Sequence, residues 1–162
     1  MEQIAFFDMK PPYKYIIDTS SILSQKDNEI YRRDVYKRKW VQIDELIRKH
    51  EIITCCEVID EIYDENILTW IKSLNCKVLK IDTTIQQNVI KVVTKHPSLI
   101  DFKHTKSSGD AFIIATAMKY NLTVVTEEKE NSPKKIPFIC KSLNIPCVNI
   151  LGLCIKEGWI FD

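Results

Sequence analysis

Acidic side chains stand where short apolar runs end or an apolar helix begins. Asp18 closes Tyr15-Ile16-Ile17, Glu57 and Glu61 come soon after Ile52-Ile53-Thr54, Asp110 precedes Ala111-Phe112-Ile113-Ile114, and Glu127-Glu128 follow Thr123 to Thr126. Carboxylates gathered at one place repel one another. A hard divalent cation relieves that repulsion and keeps coordination positions for water and phosphate oxygens. Such a cluster supports hydrolysis of a phosphodiester with one or two ions. Each acid also has an ordinary structural use: Asp18 caps the turn at Thr19-Ser20-Ser21, Asp110 suits a helix N-terminus, and the glutamates suit solvated surfaces. Their joint placement points to a site, because one topology unites these chain positions.

The other reactive residue types narrow the field. The three histidines, His50, His96 and His104, share no metal-binding spacing. The six cysteines, Cys55, Cys56, Cys76, Cys140, Cys147 and Cys154, contain no C-x-x-C pair, which argues against zinc. Several lie in apolar segments and read as small hydrophobes in a reducing compartment. Only three glycines are present, Gly109, Gly152 and Gly158, too few for a phosphate-cradling loop or a dinucleotide fingerprint. Catalysis must rest on carboxylates.

The chain has 162 residues, 45% hydrophobic and 28% charged, the size and composition of one domain over 1–162. Its 23 basic and 22 acidic side chains leave a formal charge of +1, so no global field attracts nucleic acid or membrane. No apolar stretch approaches the roughly 20 residues of a membrane span, and Met1-Glu2-Gln3 lacks a basic signal-peptide start, so a soluble, cytoplasmic protein is expected.

β-branched runs alternate with segments of helical period, which predicts α/β architecture with a mainly parallel sheet and helices on both faces. Predicted strands are Tyr13 to Asp18, Ile52 to Thr54, Lys77 to Ile81, Thr123 to Thr126 and Cys147 to Ile150. Predicted helices cover 31 to 49, about 57 to 75, 83 to 95, 111 to 120, about 134 to 143, and a short terminal stretch. Pro97 to Ser108 reads as a mobile loop. In an open parallel sheet the functional crevice lies outside the carboxyl ends of the strands, and this order puts the acids on that rim.

Tyr15 to Ser20, Glu57 to Ile62, Gly109-Asp110-Ala111 through Ala117, and Val124 to Glu128 together resemble a PIN domain. The stretch from Lys135 through Trp159 is similar to the branch near the VapC-type toxins of bacterial toxin–antitoxin pairs. The resemblance implies a three-layer α/β/α sandwich, a metal-dependent endoribonuclease using Mg²⁺ or Mn²⁺, an antitoxin partner and a homodimer. It implies Asp18, Glu61, Asp110 and Glu128 as catalytic and metal-binding residues, with Ser20 as the small hydroxyl residue near the metal. Glu61 matches because it precedes Ile62, with Glu57 one turn earlier as the alternative. Glu128 follows the Thr-x-acid pattern after Thr126, where many relatives carry aspartate, and Glu127 is its alternative.

RNA needs positive charge and stacking surfaces, and the run from Tyr31 to Trp40 has both. Arg32, Arg33, Lys37 and Arg38 are expected at phosphates, with Trp40 in the core. Lys103, His104 and Lys106 precede Asp110 and are candidates for flanking the scissile phosphate. Three readings follow: a ribonuclease acting as a toxin, a catalytically silent RNA- or protein-binding module, and an aspartate-based phosphotransfer domain. The last fares worst, since a dehalogenase-type phosphatase wants aspartate where Ser20 stands.

Overall fold

Strand β1 (Tyr15–Ile17) is buried along its whole length and forms the centre of the sheet. The computed structural model describes residues 10–101, 106, 107 and 109–162. β1 pairs in parallel with β2 (Ile52–Cys55) on one side and β6 (Thr123–Val125) on the other. β3 (Val78–Leu79) and β7 (Cys147–Val148) add the two outer strands, giving a five-stranded, all-parallel sheet of order β3-β2-β1-β6-β7. The order reverses between β1 and β6. Their carboxyl ends therefore splay their loops to opposite faces and open a crevice at Asp18 and Thr126.

Eight helices cover the sheet among the described residues: α1 (Thr19–Leu23), α2 (Lys37–Arg48), α3 (Cys56–Asp60), α4 (Glu65–Ser73), α5 (Thr83–Lys95), α6 (Gly109–Tyr120), α7 (Ile136–Ser142) and α8 (Ile150–Glu157). Helix α6 is apolar almost all round, as its sequence suggests, because it packs on β1, β2, β6 and α5 together. The Asn88 side-chain amide reaches in from α5 and donates to the Ala115 carbonyl, at 3.1 Å.

Several elements differ from the sequence expectation. The helix expected over 57 to 75 is two helices. The Asp64 carboxylate accepts from the backbone N–H groups of Asn66 and Ile67 and so starts α4 afresh. The helix expected from 31 starts at Lys37, because residues 31 and 33 instead donate to the carbonyls of Ser24 and Gln25. The stretch read as a mobile loop holds a 3₁₀ turn at Pro97–Leu99 and an antiparallel pair, β4 (Ile100–Asp101) with β5 (Lys106–Ser107).

Trp40 is fully buried, as expected, and donates to the Tyr31 carbonyl at 2.6 Å. Arg33 lies over both the Trp40 and Trp70 rings, pairs bidentately with Asp44 at 2.9 Å and donates to the Gln25 side chain. Trp70 donates to the same Asp44. This node ties the 24–36 segment to α2 and α4. Asp44→Ala strands the Arg33 cation among the rings. Arg33 retains some solvent access, so the expected loss is about 2–3 kcal/mol, at the lower edge of breaking a buried pair. Urea unfolding checks it, and a loss below that of an exposed ion pair would refute the node.

Candidate active site

Asp18 is the N-cap of α1 and only 2% exposed. Its Oδ1 accepts from the Thr19 backbone N–H at 2.7 Å, and its Oδ2 accepts from the Ser20 and Thr126 hydroxyls at 2.7 and 2.9 Å. The Asp18 backbone N–H continues the β1–β6 ladder to Val125. Two strands and one helix start thus hold this carboxylate at the switch point, where its capping use and its place in the crevice coincide.

Glu61 reaches the same rim from just beyond α3. Its Oε2 accepts from the Thr19 hydroxyl and its Oε1 from the Gly109 backbone N–H, both at 2.9 Å. Glu61 therefore bridges the N-terminal ends of α1 and α6. Asp110, in the first turn of α6, is the neighbouring residue. Burial, then the fields of Asp60 and Glu61, raise the titration of Glu57.

The two consecutive glutamates after β6 diverge. The Glu128 carboxylate accepts from the Ile136 N–H at the start of α7, while the Glu127 carboxylate accepts from Ile150 at the start of α8. Burial raises the titration of Glu128, the Ile136 bond opposes this, and Asp18 and Glu61 push it higher. Glu127 is raised by burial, opposed by the Ile150 bond and the Lys39 charge. Glu128 thus shares the Asp18–Glu61 rim and Glu127 faces α2 and α8. The fields of Glu128 and Asp110 also reach the buried Cys140 thiol, whose titration is raised first by its bond to Cys147. All six cysteines are free thiols.

The raised carboxylates give a sign for pH. A group whose folded pKa exceeds its unfolded value destabilises the fold when ionised, so stability rises as pH falls from neutral toward the ordinary glutamate value of 4.5. Below that, Asp64 and Asp82, both lowered from 3.8, lose the contribution they make when ionised. Thermal melts without divalent cation are expected to show this maximum. Glu128→Gln should flatten its neutral side, and an unchanged slope would contradict the Glu128 environment.

The donor set suits a hard cation: carboxylates and hydroxyls, with the fields of Asp18 and Glu61 felt at Glu128 and opposed in part by Lys135. Among the described residues, however, no three His, Cys, Asp or Glu side chains already converge on a metal position. The Glu61 and Glu128 carboxylates are each held by a backbone N–H, that of Gly109 and that of Ile136.

Ser20 orients Asp18 and accepts from the Glu127 N–H, so it acts on the acid before any substrate. Arg32 is paired bidentately with Asp34, and Arg33 is committed to Asp44 and the tryptophans, which removes Arg33 from a phosphate track. Lys37 and Arg38 line a cleft with Phe161 and Asp162. Lys103 and His104 lie outside the described residues, and of Lys106 only the backbone pairing in β5 is described. Thr19 and Thr126, which hold Glu61 and Asp18, are not among the site residues expected from sequence, although Thr126 anchors the Thr-x-acid pattern directly after β6 and Thr19 follows Asp18 at the end of β1.

The fold and rim define a PIN-like α/β/α sandwich. The chain belongs to the family described as "Domain of unknown function (DUF4411)", which matches residues 15–161. It is similar in structure to PAE2754 from Pyrobaculum aerophilum, at 16% identity and a TM-score of 0.51, over 90% of this chain and 97% of that one. It is also similar to FitAB, solved bound to an IR36 DNA fragment, at 14% identity and a TM-score of 0.50, over 84% of this chain and 94% of that one. No curated protein matches it. Among the described residues no helix is long and apolar enough to cross a membrane.

Proposed function

We propose that the chain is a metal-dependent endoribonuclease that hydrolyses RNA phosphodiester bonds, acting as the toxin of a toxin–antitoxin pair. The observation that carries the nuclease reading is Asp18, buried at the switch point and sharing its rim with Glu61 and Glu128. The toxin role, the antitoxin partner and a homodimer rest on the resemblance of the motifs to VapC-type proteins.

Asp18, Glu61, Asp110 and Glu128 would hold Mg²⁺ or Mn²⁺. When bound, such an ion supplies Lewis acidity toward water and phosphate oxygens. The chain's own residues prepare that charge. Thr19 N–H, Ser20 and Thr126 hold Asp18 in one orientation, and Thr19 and Gly109 hold Glu61. Glu128, whose carboxylate accepts from the Ile136 N–H and feels the fields of Asp18 and Glu61, would join them in holding the cation.

A second reading, a silent binding module, is favoured by that same Glu128 bond and by the lack of converged carboxylates among the described residues. Purified protein and a panel of structured and single-stranded RNAs separate the two. Cleavage is expected with Mn²⁺ or Mg²⁺, with none in EDTA and none from Asp110→Asn. Glu61→Gln is expected to abolish it and Glu57→Gln to spare it. Metal-independent cleavage, or wild-type cleavage by Asp110→Asn, would refute the nuclease assignment. No cleavage together with no binding of Mn²⁺ or Mg²⁺ would favour the silent module.

A further inference from the structure

Several of the exposed large hydrophobic side chains lie on or beside α2, on α8 and on the segment after α8. Val35 is 63% exposed, Val41 54%, Ile155 72% and Ile160 86%. Two adjoining clefts lie among them. One, of about 550 Å³, is walled by residues 34–39 with Phe161 and Asp162. The other, of about 470 Å³, lies between Lys37, Arg38, Val41 and Gln42 and the 158–161 segment. They share Lys37, Arg38 and Phe161, so they form one groove.

The groove is built by a defined turn. Gly158 ends α8 in the left-handed conformation at φ 72°, and Trp159 donates back to the Cys154 carbonyl at 3.0 Å. Arg38 then donates to the Asp162 carbonyl at 3.0 Å, which lays the 158–162 segment along α2. The apolar walls are thereby held apart instead of closing on each other.

Charge selects the occupant. Lys37, Arg38 and Lys39 are consecutive in the first turn of α2, which has no acidic residue to offset them. Among the described residues neither Lys37 nor Arg38 forms an ion pair, and the nearby Asp34 carboxylate is taken by Arg32. Asp162 is the one carboxylic side chain left on the wall. Rings also line the groove, but Tyr36 and Phe161 are only 39% and 37% exposed and Trp159 is partly buried, so the most exposed wall is the aliphatic Val35, Val41 and Ile160. Such walls are desolvated by apolar side chains, whereas single-stranded RNA stacks on open flat rings. We propose that this groove docks an acidic amphipathic segment of a partner protein, its apolar side chains on Val35, Val41, Ile160 and Phe161 and its carboxylates on Lys37 and Arg38. The proposal does not depend on the nuclease reading.

A displayed library of random peptides, long enough to span both clefts, is panned on the full chain. Counter-selection uses two double variants, Val41→Asp with Ile160→Asp, and Lys37→Glu with Arg38→Glu. All four residues are surface positions, and matched thermal melts confirm folding. The expected enrichment is of peptides alternating apolar residues with Asp or Glu. Their affinity should fall about tenfold in the Lys37→Glu, Arg38→Glu protein and weaken with salt. Enrichment of basic peptides, or of none that discriminates wild type from the variants, would overturn the proposal. So would a wild-type dimer in sedimentation that Val41→Asp with Ile160→Asp dissociates, since a second copy would then fill the groove. Binding of a labelled single-stranded RNA that is lost with the charge reversal and unaffected by the apolar substitutions would assign the groove to RNA instead.

Discussion

Asp18→Asn is expected to lower metal-dependent RNA cleavage by at least about a hundredfold while leaving the protein folded. Loss of outer-shell groups alone costs ten- to a hundredfold at metal sites, and Asp18 is proposed as a direct ligand. Asparagine keeps the shape and can still accept from the Thr19 N–H. The Ser20 and Thr126 hydroxyls can reverse to meet its amide, since each is both donor and acceptor. The stability change should therefore stay within about 1–2 kcal/mol, the scale of exchanging a charged for a neutral hydrogen-bond acceptor. A further readout separates site chemistry from simple structural damage. Asp18 pushes the Glu128 titration upward, so removing its charge should move Glu128 back toward 4.5. NMR titration of the glutamate carboxyl carbons measures this. Unchanged Glu128 titration would show that the two acids do not share a site, whatever happens to cleavage.

Gly109→Ala should separate stability from function in the opposite way. Alanine favours a helix over glycine by about 0.5–1 kcal/mol, so propensity alone predicts a gain. The added Cβ would stand 2.5 Å from Glu61 Oε1 and 3.0 Å from its Cδ, which no side chain tolerates. Glu61 is exposed and flexible, so its carboxylate moves away and the clash is relieved at little cost to the fold. The move breaks the bond from the Gly109 N–H and the tie to Thr19. Thermal stability should remain within about 1 kcal/mol of wild type, while Mn²⁺ affinity and cleavage fall by about ten- to a hundredfold, as for lost positioning groups. Calorimetric Mn²⁺ titration reports the affinity without any need for substrate. Wild-type Mn²⁺ affinity in this variant would remove Glu61 from the proposed ligand set.

Much of the architecture follows from local pattern. The β-branched runs at 15–17, 52–55 and 123–125, separated by helical stretches too long for hairpins, require parallel pairing and so place Asp18, Glu61 and Glu128 toward one edge. Helix α5 matches its predicted span, 83 to 95, because Asp82 caps it and its apolar period is unbroken. The fully apolar circumference of α6 already requires burial. Where the pattern misled, a single side-chain bond decided: Asp64 divides the helix expected over 57 to 75.

The sequence by itself determined the parallel pairing of the strands, the rim on which the acids lie, and the acid types available there, since periodicity and chain connectivity constrain backbone placement. Only the tertiary structure decided which way neighbouring side chains turn. Glu127 and Glu128 are adjacent, yet one meets α8 and the other α7. Arg33 reads as one more cation in a basic run until Asp44 and two tryptophans enclose it. These choices depend on partners remote in the chain, such as Gly109 for Glu61 and Thr126 for Asp18. Local spacing carries no record of such partners, because packing selects among rotamers that the backbone alone leaves nearly equal.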